Sequence, residues 1–285
     1  MTEFEAALRA NMEMLTYAIF FGALALLAIF EMIVALRAEG AMRGRRWPAN
    51  FALTVINIIV MGALPLGAVA SADLARSMHF GLFNLVDVPF VAVLAATFLI
   101  RSLASWTVHF AMHNIPLLWR IHRVHHTDTH LDVSTTVRFH PFEFLVSAPV
   151  VFATVLLCGL PPATVMLFEL FDAGVAVFSH ANIRLPGWLE RILNSLIVTP
   201  NMHRIHHSTF EKETNSNYGA TLVIWDRLYK TYNRKTNEAL ATQALGLEEV
   251  GAKRASSLWF SLGLPFRGAR LEPDRNEMSG GAPGE

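Results

Sequence analysis

The 285-residue chain has a single cysteine, Cys158, inside an apolar run. One thiol cannot close an internal disulfide or build a thiolate metal site by itself, so both are excluded as organising features. Charge is also scarce: Asp, Glu, Lys and Arg make up 16% of the residues against 53% hydrophobic, and mean hydropathy is +0.38. That is too apolar for an ordinary soluble domain and points to a membrane protein. Neither sign of charge prevails, with 23 basic and 23 acidic residues, so net charge gives no argument for a nucleic-acid partner. A basic start is missing too. The segment "MTEFEAALRANMEM" carries Glu3, Glu5 and Glu13 and does not resemble a cleavable signal peptide, so it is expected to stay attached.

What is present are five apolar stretches approaching the roughly 20 residues that a bilayer-crossing helix requires. They run over 15–36, 51–72, 82–100, 144–160 and 163–179, the last two forming a tight hairpin around Pro161 and Pro162. The expected fold is all-α, an integral-membrane bundle of four to five spanning or re-entrant helices. The first loop holds Arg37, Arg43, Arg45 and Arg46 and the second only Arg76, which predicts a cytoplasmic first loop and a cytoplasmic chain beyond Ser179. Residues 1–266 read as one membrane-embedded domain. Within it, Arg254 to Phe266 is apolar enough to lie along the membrane surface, and 267–285 has the composition of a disordered tail.

The chain writes one phrase twice, "HRVHH" at 122–126 and "HRIHH" at 203–207, and has "HFAMH" at 109–113. In a helix, His109 and His113 (i, i+4) lie on one face, as do His122, His125 and His126 and their counterparts His203, His206 and His207. These eight imidazoles exceed what one metal ion takes, four to six ligands, but suit two. His140 and His180 are available as a ninth and tenth, and all ten fall on one predicted membrane face. A lone histidine at an interface is more often a satisfied polar residue, and His79 and His130 are read that way. Clustered neutral histidines without metal would bury polar groups with no evident partner. Carboxylate-rich E-x-x-H pairs and an H-E-x-x-H zinc motif are both missing.

With these gaps and in this order, the three histidine boxes resemble those of the fatty acid hydroxylase/sterol desaturase superfamily of integral-membrane di-iron oxygenases. "RFHPFE" (138–143), "FSHANIRLP" (178–186), "TPNMHRIHHS" (199–208) and "NSNYGATLVIWDRLYKTY" (215–232) resemble it as well, so the likeness runs from about Leu82 to Tyr232. It implies a cytoplasmic histidine cap holding two irons that activate O2 to attack a lipid C–H bond. The eight box histidines are then ligands, His180 matches an intervening family histidine, and His140 ligates or orients a ligand. Imidazole suits iron, and O2 chemistry needs a redox metal, which zinc is not, although zinc binds such sites more tightly and can replace iron in purified protein. Ligating rings usually give their second N–H to a carboxylate or carbonyl. Glu143, Asn182 and Asp226 are the chosen partners, with Asp128, Asp132 and Asn217 also in reach by motif.

Among the intramembrane acids, Glu169 and Asp172 lie one turn apart and could point to the site, whereas Glu31 and Asp87 read as paired or snorkelling groups. Phe139, Phe142, Phe144, Phe178 and Phe210 read as core, with a lipid pocket the alternative. The boxes do not separate hydroxylation from desaturation, because substrate placement decides between them. With no nucleotide-binding glycine fingerprint, electrons must come from a ferredoxin, a b-type cytochrome or another reductase. For a bacterial chain the location is the inner membrane. A histidine-rich metal transporter is the reading outside the enzyme class, and it requires ligands near the bilayer midplane.

Overall fold

The computed structural model describes residues 2–38, 43–65 and 67–268, so most of the expected tail lies outside the described residues. The architecture is helical, with three isolated β-bridges among the described residues. In chain order come α1 (Glu3–Val34), α2 (Arg43–Gly62), α3 (Ala68–Ser77), α4 (Leu82–Leu85), α5 (Phe90–Asn114), α6 (Pro116–His126), α7 (Pro141–Cys158), α8 (Pro162–His180), α9 (Gly187–Leu193) and α10 (Pro200–His206), then shorter helices. Four of them, α1, α5, α7 and α8, are long and apolar enough to cross a membrane. Their outward faces are greasy: Met32 is 74% exposed, Val91 76% and Leu157 62%, an arrangement stable only against lipid. The protein is an integral membrane protein.

The expected spans are corrected at two places. The stretch 51–72 is not one helix: α2 ends at Gly62, before Pro65, whose ring lacks an N–H and restricts the residue before it, and α3 starts only at Ala68. The third span begins eight residues later than expected, after Pro89, which leaves Asp87 outside the helix and moves His109 and His113 onto its last turns. The hairpin α7–α8 has 18 and 19 residues, about 27–28 Å of rise, just short of a hydrocarbon core of about 30 Å.

One end of the bundle is closed by ion pairs and a glycine contact. Arg9 lies 2.5 Å from Asp73, and Arg76 2.8 Å from Glu5. Gly81 and Gly159 both have positive φ (90° and 67°), and a Cβ on Gly81 would lie 2.3 Å from the Gly159 nitrogen. Only glycine permits that approach. His79 is exposed at this end, away from the other histidines.

At the opposite end α1 finishes, α2 begins, and a polar cap is stacked on the bundle. Glu31 is 2% exposed and accepts from the Val133 and Asn182 backbone N–H groups, which explains this acid in an apolar helix. Arg46 is buried between Asp128 (2.6 Å) and Asp132 (2.9 Å). Deleting one partner of such a buried pair typically costs about 3–5 kcal/mol. The segment expected to lie on the membrane surface is instead partly built into the cap. Phe260 and Leu264 pack on Val124 and Leu53, while Trp259 and Phe266 stay exposed.

Candidate metal centre

Each box is delivered by a helix whose start or end is fixed locally. Pro116 opens α6 at its first position, where the missing N–H costs nothing. The chain therefore turns directly from the His109/His113 face of α5 into the helix carrying His122, His125 and His126. Thr199 caps α10 by accepting from the Met202 N–H, and Pro200 follows it. His180 is the last residue of α8. Within each repeated phrase the arginine and aliphatic residue point elsewhere: Val124 and Ile205 are core residues, Arg123 donates to the Leu264 carbonyl, and Arg204 donates to Asn182 Oδ1.

The rings gather in two groups, His109, His113, His122, His126 and His206 in one, and His125, His180, His203 and His207 in the other, with the ligating atoms of each group within 4.8 Å of one another. Each phrase is divided between them. The i, i+4 pairs, His122 with His126 and His203 with His207, stay together, and the i+3 ring of each phrase, His125 or His206, crosses to the other group.

The hydrogen bonds fix the tautomers of four rings. The Nδ1 atoms of His109, His206, His125 and His180 lie 2.7, 2.8, 3.2 and 2.7 Å from the carbonyl oxygens of Tyr218, Ser216, Arg138 and Ala176. A carbonyl can only accept, so Nδ1 carries the proton and Nε2 is a bare lone pair. Yet the Nε2 atoms of His109 and His206 are 2.9 Å apart, and those of His125 and His180 3.2 Å apart. Two lone pairs repel at such distances, and a shared cation removes the conflict. Each group contains one such pair, so each has a donor set fitted to a metal ion. Burial first, and neighbouring rings second, push His125, His126, His203, His206 and His207 well below the ordinary imidazole value, leaving them neutral as ligation requires.

Other expected site residues divide by what they touch. The buried Glu143 carboxylate lies 3.0 Å from His122 Nδ1, the one direct carboxylate–ring pairing among the described residues. Asp226 acts at one remove. It accepts from the Tyr218 and Gly219 N–H groups, Trp106 Nε1 and Thr231 Oγ1, and so holds the loop whose Tyr218 carbonyl receives the His109 proton. A Cβ on Gly219 would sit 2.7 Å from Asp226 Oδ2, so this loop also needs glycine. Two expectations are corrected. His140 is in neither group: its Nδ1 accepts from the Phe142 N–H to cap α7, and its Nε2 lies 3.2 Å from the Leu262 carbonyl. Asn182 touches no ring, because its side chain bonds the Arg37 backbone and Arg204. Asp128, Asp132 and Asn217 serve the cap: the first two hold Arg46, and Asn217 donates to the Met202 carbonyl. The carbonyls of Arg138, Ala176, Ser216 and Tyr218, and Asn215 Oδ1 at 3.3 Å from His113 Nδ1, were not foreseen.

A 290 Å³ cavity runs beneath the rings, with His109 and His122 of one group and His125, His180 and His203 of the other at its head. Phe139, Phe144 and Val151 are among its walls. Asp172, also a lining residue, lies eight positions before His180 on α8, about 12 Å further into the bundle. Its carboxylate accepts from Thr221 Oγ1. Glu169 instead pairs with Arg101 at 2.5 Å. Phe139 and Phe144 thus belong to a pocket, whereas Phe178 packs in the core and Phe210 is exposed.

A membrane-embedded helical bundle with two polyhistidine donor sets over an apolar-walled cavity is the class this fold and site define. The chain matches the sequence model of the family described as fatty acid hydroxylase over residues 94–231. It is similar to the ornithine lipid hydroxylase OlsE of Rhizobium tropici, 27% identical over 80% of this chain and 70% of that protein. It is also similar to human alkylglycerol monooxygenase, 28% identical over 75% of this chain and 47% of the relative. A very-long-chain aldehyde decarbonylase of Oryza sativa is 27% identical over 56% of this chain and 26% of its own length. The chain thus spans less than half of the matched alkylglycerol monooxygenase. No solved structure gives a significant match. The relatives named as a hydroxylase and a monooxygenase are oxidoreductases acting on lipids.

Proposed function

We propose that the chain is an O2-dependent di-iron oxygenase that hydroxylates a C–H bond of a membrane lipid. The observation that carries this reading is the convergence of bare Nε2 atoms from both histidine groups at the head of one apolar-walled cavity. Nine histidines, His109, His113, His122, His125, His126, His180, His203, His206 and His207, would hold the two ions. When bound, iron supplies the redox chemistry that lets O2 attack an unactivated C–H bond, a role closed to zinc. The protein's own part is placement and protection. Glu143 and the four carbonyls engage the Nδ1–H groups of His122, His109, His125, His180 and His206, which leaves the Nε2 atoms of those five rings for the ions. Trp106, Tyr218 and Asp226 fix the loop behind His109. The cavity walls exclude water and hold the chain at the tolerance that positioned reactions demand.

Relatives named as acting on ornithine lipid and alkylglycerol support a polar lipid as substrate. Electrons come from a separate ferredoxin, b-type cytochrome or reductase. The basic residues Arg37, Arg43 and Arg46 cluster at the histidine end, which supports a cytoplasmic cap, in the inner membrane of a bacterial host. The test is mass spectrometry of total lipids from cells expressing this chain or His125→Ala, grown in air with a reductase supplied. A lipid heavier by one oxygen only with the intact chain is the expected result. A lipid lighter by two hydrogens reassigns the chain as a desaturase, and no change in either direction removes the oxygenase reading.

A further inference from the structure

The cavity under the histidines has a neighbour. A 270 Å³ groove lined by Phe20 of α1 and by Thr54, Asn57, Ile58 and Met61 of α2 shares Thr136, Phe139 and Phe144 with the cavity. Each space alone is at or below the small end of ligand pockets, about 300 Å³, and joined they reach the size a lipid chain needs. The partition is two half-buried rings. Phe139 is stacked on His125, centroids 4.5 Å apart and planes 10° apart, and meets Phe144 edge-on at 6.0 Å. Outside the partition, the rim residue Ile58 is 60% exposed on a face bearing Val55 and Ile59, which are also exposed.

A second observation points to an occupant. Asn57 is only 6% exposed, its Nδ2 donates to the Phe139 carbonyl at 2.9 Å, and its Oδ1 has no partner. A buried acceptor without a donor is costly, so this groove wall favours an amphiphile that brings a hydroxyl or N–H.

We propose that this groove is the lateral entrance to the active site, through which the alkyl chain of a hydrogen-bond-donating membrane lipid passes between α1 and α2 and past the Phe139–Phe144 pair to the histidines. The inference rests on the lipid-oxygenase reading. It differs from entry out of the aqueous phase through the cap, where Arg138 and the segment at 258–266 pack against α6. The entrance also makes Phe139 a positioning residue, since the ring that turns aside for substrate is the one stacked on His125.

The test uses the full chain in phosphatidylcholine vesicles and a 16-carbon monoalkylglycerol with a mid-chain diazirine, photolysed and mapped by peptide mass spectrometry. Val108 and Met112 line the inner cavity and are 9% and 3% exposed, so label there reports entry and not contact with bulk lipid. In Ile58→Trp that label should fall at least fivefold, while Ile59→Trp, on the same helix but outside the groove, should leave it unchanged, with equal metal content in both. Capping the probe's hydroxyls as methyl ethers should lower cavity label in the unaltered chain at least twofold. Equal cavity label in Ile58→Trp and the unaltered chain overturns the entrance. No label at Val108 or Met112 in any chain overturns the lipid-oxygenase reading itself.

Discussion

The two histidine groups are built from one phrase used twice, yet they are not equivalent. The first has five rings, two of them only half-buried, and includes the one ring paired with a carboxylate, His122 with Glu143. The second has four rings, all buried: the Nδ1 atoms of His125 and His180 meet backbone carbonyls, and those of His203 and His207 meet no hydrogen-bond partner among the described residues. A carboxylate partner makes a ring a stronger donor than a carbonyl does. The first group therefore has both a spare donor and a carboxylate-supported one, and the second has neither. Both share the cavity head, so one substrate would meet two electronically distinct ions.

Removing a ring tests that difference most strongly. In His207→Ala the second group falls to three donors. The expected outcome is loss of one iron per chain and a drop in lipid product of at least about 100-fold, measured by elemental analysis beside lipid mass spectrometry. In His113→Ala the first group still keeps four donors, so two irons should remain and the loss should be nearer tenfold. Equal metal loss in the two variants would show that the fifth ring is not spare. Next in size is Glu143→Gln, which keeps the shape and removes the charge. Iron affinity of the first group should weaken about 10–100-fold while the second is unchanged, resolved by titrating metal into stripped protein.

Acid separates the groups' own rings from the scaffold beneath them. The histidines named above are neutral when folded and have an ordinary value of 6.5 when unfolded, so the unfolded chain binds protons first and metal-free stability declines as pH drops below 6.5. Asp128 titrates later. Burial alone would raise its carboxyl, but Arg46 and Arg138 overcome that and hold it at about 2 against an ordinary 3.8. Its contribution, on the order of 2 kcal/mol, is therefore complete above pH 4 and lost as pH falls through 2. Melting curves of stripped protein against pH should show both phases, and Asp128→Asn should remove only the lower one.

Much of the centre was legible in the sequence because helical spacing fixes which rings share a face. The eight box histidines could be picked out from i, i+3 and i+4 separations, and His180 from its resemblance to a family motif. The division of each phrase between two groups was not legible, since it depends on how α6 and α10 face each other across the bundle. Nor were the four carbonyl acceptors, because a backbone oxygen has no residue type to betray it. Glu143 stood among six candidates picked by proximity or motif, and only the packing of α7 against α6 sets its carboxylate beside His122. Asn182 misled because its motif is a structural one: it ties α1's end to Arg204. Among the spans, hydropathy found α1, α7 and α8 but ran through the break before Pro65, where local backbone chemistry outweighs average apolarity.

The smallest expected effect concerns the histidine that sequence placed among the ligands. His140 ends an extended segment and begins α7 as its N-cap, accepting the Phe142 N–H on Nδ1. A cap acceptor replaced by alanine costs about 0.5–2 kcal/mol, and asparagine is among the best replacements at that position. His140→Ala should therefore lower thermal stability in detergent, His140→Asn should restore most of it, and both should keep two irons per chain. An asparagine side chain can do the cap's work but is a poor substitute for an imidazole on iron. If His140→Asn regained stability yet lost a metal, the ring would have to leave its cap in the loaded enzyme, and the contrast between a five-ring and a four-ring group would give way to two groups of five.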